Sequence, residues 1–357
     1  MKKRKVLAVL LCAAMTAALA VGCGGSKGSD SSDKSSDSSS SSDDVITVGF
    51  SQVGAESDWR TANSQSMKDT FSKENGYDLI FDDAQQKQEN QITAIRNFIQ
   101  QEVDYILLAP VTETGWDTVL QEAKDADIPV IIVDRMVDVS DDSLYTTWIG
   151  TDALCEGRKA AEWLNGFAEA KGIAASDIHI ADIQGTIGST AQIGRTKGLE
   201  EGVDKYGWDL VAQQTGEFTQ AKGQEVMESM LKQYKDINVV YCENDNEAFG
   251  AIDAIEAAGK TVGPDGDILV MSFDTTKAGI TDTQSGKIIL NTECNPLHGP
   301  RVEEIIKTLE SGGTPEKKAY VEEGVFAHGD EVPSVTVDDQ KYDVTKVTKE
   351  VVAGRAY

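Results

Sequence analysis

Val130-Ile131-Ile132-Val133-Asp134-Arg135 is the stretch of sequence that decides the fold class. Four consecutive aliphatic residues followed by charged ones are typical of a parallel strand that is covered on both faces. Tyr105–Ala109 (YILLA) has the same character, and the segment Trp116–Lys124 between the two stretches predicts a helix. The strand, helix and second parallel strand together predict a βαβ unit.

The same alternation of strands and helices extends in both directions from this unit. Upstream it predicts strands at Ile46–Phe50 and Asp78–Phe81, a helix over Arg60–Lys73, and a helix whose buried face carries Ile92, Ile95, Phe98 and Ile99. Downstream it predicts strands at Ile178–Ile183, Asp209–Ala212, Val239–Cys242 and Ile268–Phe273, with helices over Ala191–Lys205, Gln220–Lys232 and Glu247–Ala258. We therefore predict an α/β protein with two doubly wound, Rossmann-like lobes, whose ligand crevice lies at the carboxyl ends of the strands.

The last part of the chain is too short for a third lobe. It predicts a strand at Ile288–Thr292, a helix over Pro300–Leu309 and a strand over Tyr320–Phe326. We expect these elements to be added to the two lobes, so that the chain crosses between the lobes more than once.

The N-terminal segment has the pattern of a bacterial lipoprotein signal. Four basic residues at positions 2–5 precede the apolar run Val6–Val21, and Gly22-Cys23 follows. This pattern predicts a signal peptide over residues 1–22 and acylation of Cys23; without acylation, Cys23 would be an incidental small residue. Residues 23–44 then form the lipidated cysteine and a Ser/Asp-rich tether. We expect an exported protein that contacts the outer face of the membrane, or its periplasmic side, only through its lipid anchor.

Composition and motifs exclude several classes of function. The formal net charge of −27 argues against a nucleic-acid partner, whose phosphates require clustered Lys and Arg. Cys155, Cys242 and Cys294 are odd in number and show no CxxC spacing, so we predict neither a disulfide framework nor a metal site. The sequence contains no Walker A, HExxH or GxGxxG motif, and its GxSxG match, Gly24–Gly28, lies in the Ser/Asp-rich segment rather than between a predicted strand and helix. We therefore predict a protein that is not an enzyme and that has no cofactor.

Polar and aromatic residues stand just beyond the ends of four predicted strands. They are found in Ser51 to Arg60 after the first strand, Asp134-Arg135, Glu243-Asn244-Asp245 and Asp274. Each group alone has a simpler explanation. Asx residues often cap helices, and Asp134-Arg135 by itself is compatible with a surface ion pair. Their coincidence at four strand ends predicts one cleft in which carboxylate, amide and guanidinium groups bind hydroxyls and an aromatic face covers a sugar ring.

The chain resembles the sugar-binding proteins of bacterial ABC uptake systems, the ribose and galactose group with the periplasmic-binding-protein type I fold. Within this group it is most similar to the galactofuranose-binding members. The resemblance covers the chain from Val45 to its end and depends on these stretches: Val48–Gly54 with Trp59-Arg60, Gln85–Gln91, Ala109–Val111, Thr114–Trp116, Asp134-Arg135, Gln184–Thr186, Lys222–Ser229 and Asn244-Asp245.

The resemblance also implies the roles of individual residues. Trp59 and Phe218 would stack on the sugar ring. Hydrogen bonds to the sugar would come from the remaining site residues, which are Glu56, Arg60, Asp134, Arg135, Arg195, Asn244, Asp274 and Glu293. Thr275 follows Asp274 where relatives usually carry glycine. A three-crossing hinge would join an N-terminal lobe of residues 45–150 plus 294–324 to a C-terminal lobe of residues 151–293 plus 325–357.

The implied function is capture of a monosaccharide, galactofuranose-like or another hexose or pentose, and its delivery to an ABC permease and its ATPase by a monomeric binding protein. A binding module that presents its ligand to a membrane receptor or kinase is the alternative. Effector domains of sugar-responsive repressors share the fold, but they carry a basic helix-turn-helix segment where this chain has the signal and tether. A sugar-processing enzyme is disfavoured because no acid/base motif is present.

Overall fold

The computed structural model describes residues 45–357. The predicted signal peptide, Cys23 and the predicted tether lie outside the described residues. Over residues 45–357, none of the helices combines the length and the apolar character that a membrane span requires.

Strands and helices alternate along most of the described chain. The strands are β1 (Ile46–Gln52), β2 (Tyr77–Asp83), β3 (Tyr105–Leu108), β4 (Val130–Val133), β5 (Thr147–Gly150), β6 (His179–Gln184), β7 (Asp209–Thr215), β8 (Val239–Cys242), β9 (Leu269–Asp274), β10 (Leu290–Glu293), β11 (Lys318–Tyr320), β12 (Val325–Ala327), β13 (Ser334–Val337) and β14 (Gln340–Lys346). The helices are α1 (Asp58–Thr70), α2 (Gln88–Gln100), α3 (Asp117–Asp125), α4 (Ala153–Lys171), α5 (Thr190–Tyr206), α6 (Gln220–Gln233), α7 (Asp245–Ala257), α8 (Lys277–Ser285), α9 (Gly299–Glu310) and α10 (Lys349–Gly354).

The N-terminal lobe consists of a parallel sheet and the helices that cover it. Its strand order is β11-β5-β4-β3-β1-β2, and every pairing is parallel. Helices α1, α2, α3 and α9 pack with this sheet and with one another. All four residues of β3 and of β4 are buried, as the continuous apolar runs predict for strands covered on both faces.

The C-terminal lobe has the larger sheet, with the order β13-β14-β12-β10-β9-β8-β6-β7. Its central strands are parallel, but β12 pairs antiparallel with β10, and β13 pairs antiparallel with β14. Apolar side chains form a core on each side of the sheet, built around Trp163 and Phe273 on one face and Met227 and Ile255 on the other. Two α/β lobes of this kind confirm the predicted fold class.

The described chain passes between the two sheets three times. It does so between β5 and α4, between β10 and α9, and between β11 and β12. We call the residues in these passages, 151–152, 294–298 and 321–324, the hinge segments. Because the three hinge segments cross between the lobes, a rotation of one lobe against the other must bend all three segments together.

One predicted element is wrong, and several elements are absent from the prediction. The single strand expected over Tyr320–Phe326 is two strands, β11 and β12, which belong to different sheets because the third hinge segment lies between them. Helix α4, helix α8 and the β13–β14 hairpin are not foreseen by the sequence analysis. The other predicted strands and helices are confirmed, with ends that differ by a few residues.

Candidate functional site

The N-terminal lobe supplies an ion-pair cluster at the carboxyl ends of β1 and β4. Ser57 caps α1 by accepting a hydrogen bond from the Arg60 backbone N–H at 3.1 Å, which fixes the start of the helix. Arg60 then reaches across the strand ends. Its Nη2 donates to Asp134 Oδ2 at 2.7 Å and its Nε donates to Glu56 Oε1 at 3.0 Å. All three of these side chains are almost completely buried.

Arg135 connects this cluster with the other lobe. Its Nη1 donates to the Val111 carbonyl oxygen at 3.0 Å, and its Nη2 lies 3.6 Å from Glu56 Oε1. Its guanidinium carbon lies 5.2 Å from the centre of the Phe218 ring, which belongs to the C-terminal lobe. A cation over an aromatic face is attractive, so this contact favours approach of the two lobes.

Backbone strain at Asp134 points its side chain into the cleft. Asp134 has φ = 66°, in the left-handed region that non-glycine residues rarely adopt. Its carbonyl oxygen accepts from Trp148 Nε1 at 2.9 Å and lies so close to Gly150 that a Cβ there would overlap it. Strain of this kind is concentrated at functional sites.

Trp59 forms an aromatic wall of the same half-site. The side chain is buried, and its indole N–H donates to the Cys294 carbonyl oxygen at 2.7 Å in the second hinge segment. The Arg60 guanidinium carbon lies 4.6 Å from the centre of the Trp59 ring. Trp59 is therefore held in one orientation by the hinge and by its neighbour in sequence.

In the C-terminal lobe, Arg195 occupies the central position. Its Nε donates to Glu156 Oε2 at 2.8 Å, its Nη1 donates to the Glu243 carbonyl oxygen at 2.5 Å, and its Nη2 lies 3.6 Å from Asp274 Oδ1. The guanidinium also lies over the Phe273 ring, at 4.8 Å from its centre. One guanidinium thus serves two carboxylates, whereas Asp134 in the other lobe is close to two guanidiniums.

Phe218 and Asn244 position each other in the C-terminal lobe. Phe218 has φ = 60°, and its N–H donates to Glu247 Oε1 at 2.8 Å. Its ring lies against Gly185, where a Cβ would overlap the ring. Asn244 caps α7 through Oδ1, which accepts from the Glu247 N–H at 2.8 Å, and its Nδ2 donates to the Phe218 carbonyl oxygen at 3.1 Å. Asn244 therefore has the helix-capping role, and one amide hydrogen remains for a ligand.

The pKa values of the two site aspartates, Asp134 and Asp274, are shifted in opposite directions. Burial alone would raise the pKa of Asp134, but Arg60 and Arg135 outweigh it and hold that pKa below the ordinary value. Burial raises the pKa of Asp274 well above its ordinary value, and Arg195 offsets this effect only in part. The surroundings thus favour the ionised carboxylate at Asp134 and the protonated carboxyl at Asp274.

Nine of the ten predicted site residues line one cavity between the lobes, with about 290 Å³ of empty space. These are Glu56, Trp59, Arg60, Asp134, Arg135, Arg195, Phe218, Asn244 and Asp274. Ser57, Ala191 and Cys294 also line it and are not predicted from the sequence. A small volume of this kind, walled by rings and charged groups, suits a ligand of few atoms that carries many hydroxyls.

Glu293 is the predicted site residue that the structure does not bring to the cavity. Its Oε1 accepts hydrogen bonds from Arg355 Nη1 at 2.5 Å and from the Tyr357 hydroxyl at 2.6 Å. Its Oε2 accepts from the Gly324 N–H at 2.8 Å. The carboxylate is therefore occupied by the end of the chain and by the third hinge segment.

The lobes also touch directly at both rims of the cavity. On one rim the Asp58 N–H donates to Asn246 Oδ1 at 3.0 Å. On the other, the Glu113 N–H donates to the Gly188 carbonyl oxygen at 2.9 Å, and the Met136 N–H donates to the Thr190 hydroxyl at 2.7 Å. These contacts join the two lobes across the cleft, so the structure is a closed arrangement of the lobes.

The chain matches the family described as periplasmic binding protein domain over residues 48–290. Together with the two-lobed fold and the cavity between the lobes, this match shows that the chain belongs to the periplasmic binding proteins, in the sugar-binding group that the sequence analysis identifies. The resemblance stated from the sequence is confirmed.

Three relatives show where in the family the chain lies. It is 41% identical over 277 residues to the galactofuranose-binding protein YtfQ of Escherichia coli (strain K12), which covers 76% of this chain and 85% of the relative. A Mycobacterium smegmatis structure in complex with β-D-fucofuranose aligns with a TM-score of 0.76 at 43% identity, covering 80% of this chain and 92% of that one. The arabinose ABC transporter binding protein of Shewanella sp. ANA-3, bound to α- and β-L-arabinofuranose, aligns with a TM-score of 0.74 at 43% identity, covering 80% and 93%.

Membership in this family also decides the question of catalysis. The Escherichia coli and Shewanella relatives named above are binding proteins. The chain is accordingly a binding protein and not an enzyme, as the sequence predicts.

Proposed function

We propose that this chain captures a neutral sugar in its five-membered-ring form between the two lobes. The observation that carries the proposal is the cavity itself, because side chains suited to hydroxyls and to a sugar ring reach it from both lobes. Asp134, Asn244 and Asp274 supply acceptors and donors, while Trp59 and Phe218 supply flat apolar faces.

The charges of the cavity favour a neutral ligand. Arg60, Arg135 and Arg195 are matched by Glu56, Asp134 and Asp274, and most of these groups already pair with one another. A phosphate or a uronate would add an anion without an unpaired guanidinium to receive it. A hydroxyl, which both donates and accepts, fits between these pairs without changing their charge balance.

The printed ligands of similar proteins support the furanose form. The relatives are named for, or bound to, galactofuranose, fucofuranose and arabinofuranose. Identities of about 40% over most of the chain make a shared ligand class the simplest explanation. Which of these sugars binds depends on groups at the cavity wall.

Calorimetric titration with a sugar panel tests the proposal. L-Arabinose, D-galactose and D-fucose, the sugars of the similar proteins, are compared with D-ribose and D-allose, which also form some furanose in solution, and with myo-inositol, which has no furanose form. We expect one of the first three to bind, and NMR of the bound sugar to show a five-membered ring. At hundredfold excess over Kd, the ligand should stabilise the fold by about 2.7 kcal/mol. Binding of none of the six, or of a six-membered ring only, would contradict the proposal.

We also propose that the protein is exported, held at the membrane by a lipid on Cys23, and delivers its sugar as a monomer to an ABC permease and its ATPase. The Shewanella relative is a component of an arabinose ABC transporter, which supports the delivery step. A Cys23→Ala variant should be released from the membrane fraction while its sugar affinity stays unchanged. Disruption of the gene should abolish cellular uptake of the bound sugar; unchanged uptake would contradict the transport role.

A further inference from the structure

The three hinge segments bring together a thiol and two carboxylates that are far apart in sequence. Cys294 lies in the second hinge segment, Glu323 lies in the third, and Glu156 lies at the start of α4, directly after the first. One ligand atom from each, the Cys294 Sγ and a carboxylate oxygen of each glutamate, all lie within 4.8 Å of one another. We call Glu156, Cys294 and Glu323 the hinge triad.

One carboxylate oxygen of the triad has no partner. Glu156 Oε2 accepts from Arg195, but Glu156 Oε1 is buried and has no hydrogen bond within the described residues. A buried, unpaired carboxylate oxygen is costly, because it has lost water and gained nothing in return. A cation bound beside this oxygen, the thiol and the second carboxylate would compensate for that cost.

The other oxygens are oriented as the ligands of a metal usually are. Glu323 Oε1 accepts from the Thr151 hydroxyl and from the Asn295 N–H, both at 2.7 Å. Arg195 holds the second oxygen of Glu156 at 2.8 Å. Metal-ligating carboxylates are commonly fixed by outer hydrogen bonds of this kind, which keep their remaining lone pairs pointed at the ion.

We propose that the hinge triad binds a divalent transition-metal ion of the zinc class. A thiolate with two carboxylates suits zinc rather than calcium or magnesium, which take oxygen ligands only. Zn–S and Zn–O bonds of about 2.3 and 2.0–2.2 Å place tetrahedral ligand atoms about 3.3–3.6 Å apart. The triad atoms lie within 4.8 Å of one another, so binding at this spacing would draw them closer together.

Such an ion would tie two hinge segments to the first turn of α4. Cys294 also lines the sugar cavity, so the ion would lie directly beneath the site. The sequence analysis predicts no metal site, and motif spacing gives no signal of this one because Glu156 and Cys294 are 138 positions apart. The site exists only through the crossing of the hinge segments.

Cobalt(II) substitutes for zinc and reports thiolate coordination through a charge-transfer absorption band in the near ultraviolet. We expect the full chain, titrated with CoCl2 under reducing conditions without sugar, to develop this band. Cys294→Ser should abolish it, and Cys155→Ser, which removes a half-buried thiol on α4 outside the triad, should retain it. Absence of the band in the wild-type chain, or its survival in Cys294→Ser, would overturn the proposal.

A second pair of variants guards against misfolding of Cys294→Ser. Glu323→Gln keeps the size of the side chain but removes a ligand charge, and we expect it to weaken cobalt binding about tenfold or more. Glu322→Gln, at the adjacent exposed position, should bind cobalt as the wild type does. Equal affinity in both variants would overturn the role of Glu323. His179, Asp209 and Asp236 form another group of possible ligands, but it has no thiol and gives no such band.

Discussion

The two halves of the cavity hold their aspartates in opposite ways. In the N-terminal lobe, Asp134 pairs with Arg60 at 2.7 Å, and the pKa of its carboxyl is lowered. In the C-terminal lobe, Asp274 lies 3.6 Å from Arg195, and burial raises its pKa. The difference arises because Arg195 is shared with Glu156, which it holds at 2.8 Å.

The contrast extends beyond the cavity wall. Burial also raises the pKa of Glu243 and of Glu247 well above the ordinary value, and no guanidinium side chain pairs with either carboxylate in the described residues. The N-terminal half of the cavity therefore presents carboxylates and guanidiniums that are already paired with one another. The C-terminal lobe holds carboxyls whose charge is unfavourable until hydroxyl donors approach, so a ligand should stabilise it more.

We expect the largest effect on sugar affinity when the ion pairs in the N-terminal half of the cavity are broken. Asp134→Ala removes the carboxylate that accepts from Arg60 at 2.7 Å, so that Arg60 and Arg135 share Glu56 alone among the described carboxylates paired with them, and it removes a contact to the sugar. We expect the affinity for the sugar identified in the panel to fall by about 30-fold to several thousand-fold, equivalent to roughly 2–5 kcal/mol. Asp138→Ala, an exposed position on the same segment, should bind normally. Near-native affinity of a folded Asp134→Ala protein in calorimetry would place the ligand elsewhere.

The C-terminal lobe buries carboxyl groups that pair with no guanidinium in the described residues, and Asp182 in β6 gives the most direct test of this property. Its Oδ1 has no partner, and burial raises the pKa of this carboxyl to about 8. The folded protein therefore keeps a proton on Asp182 that the unfolded chain loses above about pH 4. The contribution of this proton to the free energy of unfolding is complete below about pH 4 and is lost as the pH rises through about 8. At pH 7 the cost reaches about 4 kcal/mol, and Asp182→Asn should remove it.

Urea unfolding of the wild type and Asp182→Asn at pH 5, 7 and 8 measures this effect. The stability gap should widen as the pH rises, whereas Asp204→Asn, an exposed substitution on α5, should follow the wild type. Parallel profiles for the wild type and Asp182→Asn would mean that Asp182 is ionised in the folded protein.

Matched substitutions at the two cavity aspartates should separate binding from stability. Asp274→Asn removes an unfavourable buried charge, so the sugar-free protein should be more stable at pH 7, while sugar affinity falls about tenfold to a hundredfold. Asp134→Asn removes a favourable charge, so this variant without sugar should be less stable than the wild type at pH 7. Thermal melting and calorimetry supply both readouts. A loss of stability in both variants would show that the two half-sites are electrostatically alike.

The direct contact at the rim should have a smaller effect. Asn246→Ala removes the acceptor of the Asp58 N–H across the cleft and with it about 0.5–1.5 kcal/mol of support for the closed arrangement. We expect a larger radius of gyration without sugar by X-ray scattering and an affinity lower by about twofold to tenfold. Asn165→Ala, whose amide bonds within α4, is the control. An unchanged radius together with unchanged affinity would show that this rim contact does not support closure.

The smallest effect concerns the backbone beside Asp274. Asp274 and Thr275 have φ values of 99° and 55°, and a β-branched residue is strained in that region. Glycine relieves the strain but loses more entropy on folding, so Thr275→Gly should stabilise the protein by no more than about 1 kcal/mol. Urea unfolding measures the change, and Thr281→Gly in α8 should instead destabilise. A clear loss of stability in Thr275→Gly would mean that the Thr275 side chain matters more than its backbone.

Much of the site was predictable because strand ends are visible in the sequence. Asp134, Asn244 and Asp274 each follow an apolar run, and the rule that parallel strands end at one edge of a sheet brings them together. Ser57 and Ala191 carry no comparable signal, since small residues at helix starts are common throughout the chain. The rim contact of Asn246 depends on the angle between the lobes, which no local pattern encodes.

The fold was predictable to a similar degree, and the errors in its prediction have a related cause. Helix α4 carries an apolar face with Trp163, Leu164 and Phe167, so helical periodicity was a usable signal there. The division of Tyr320–Phe326 between two sheets had no such signal, because β11 and β12 each contain three residues. Short strands of this kind are defined by their partners rather than by their own sequence.

The sequence by itself determined the α/β class, the two lobes and the set of polar residues at the strand ends, because periodicity and strand position are local properties. Tertiary structure alone decided that Glu293 turns to Arg355 and Tyr357, residues that lie about 60 positions later in the chain. It also decided that Arg195 is shared between Glu156 and Asp274, and that Cys294 meets two glutamates at the hinge. These pairings depend on distances between segments remote in sequence, and such distances exist only after the lobes have folded and closed.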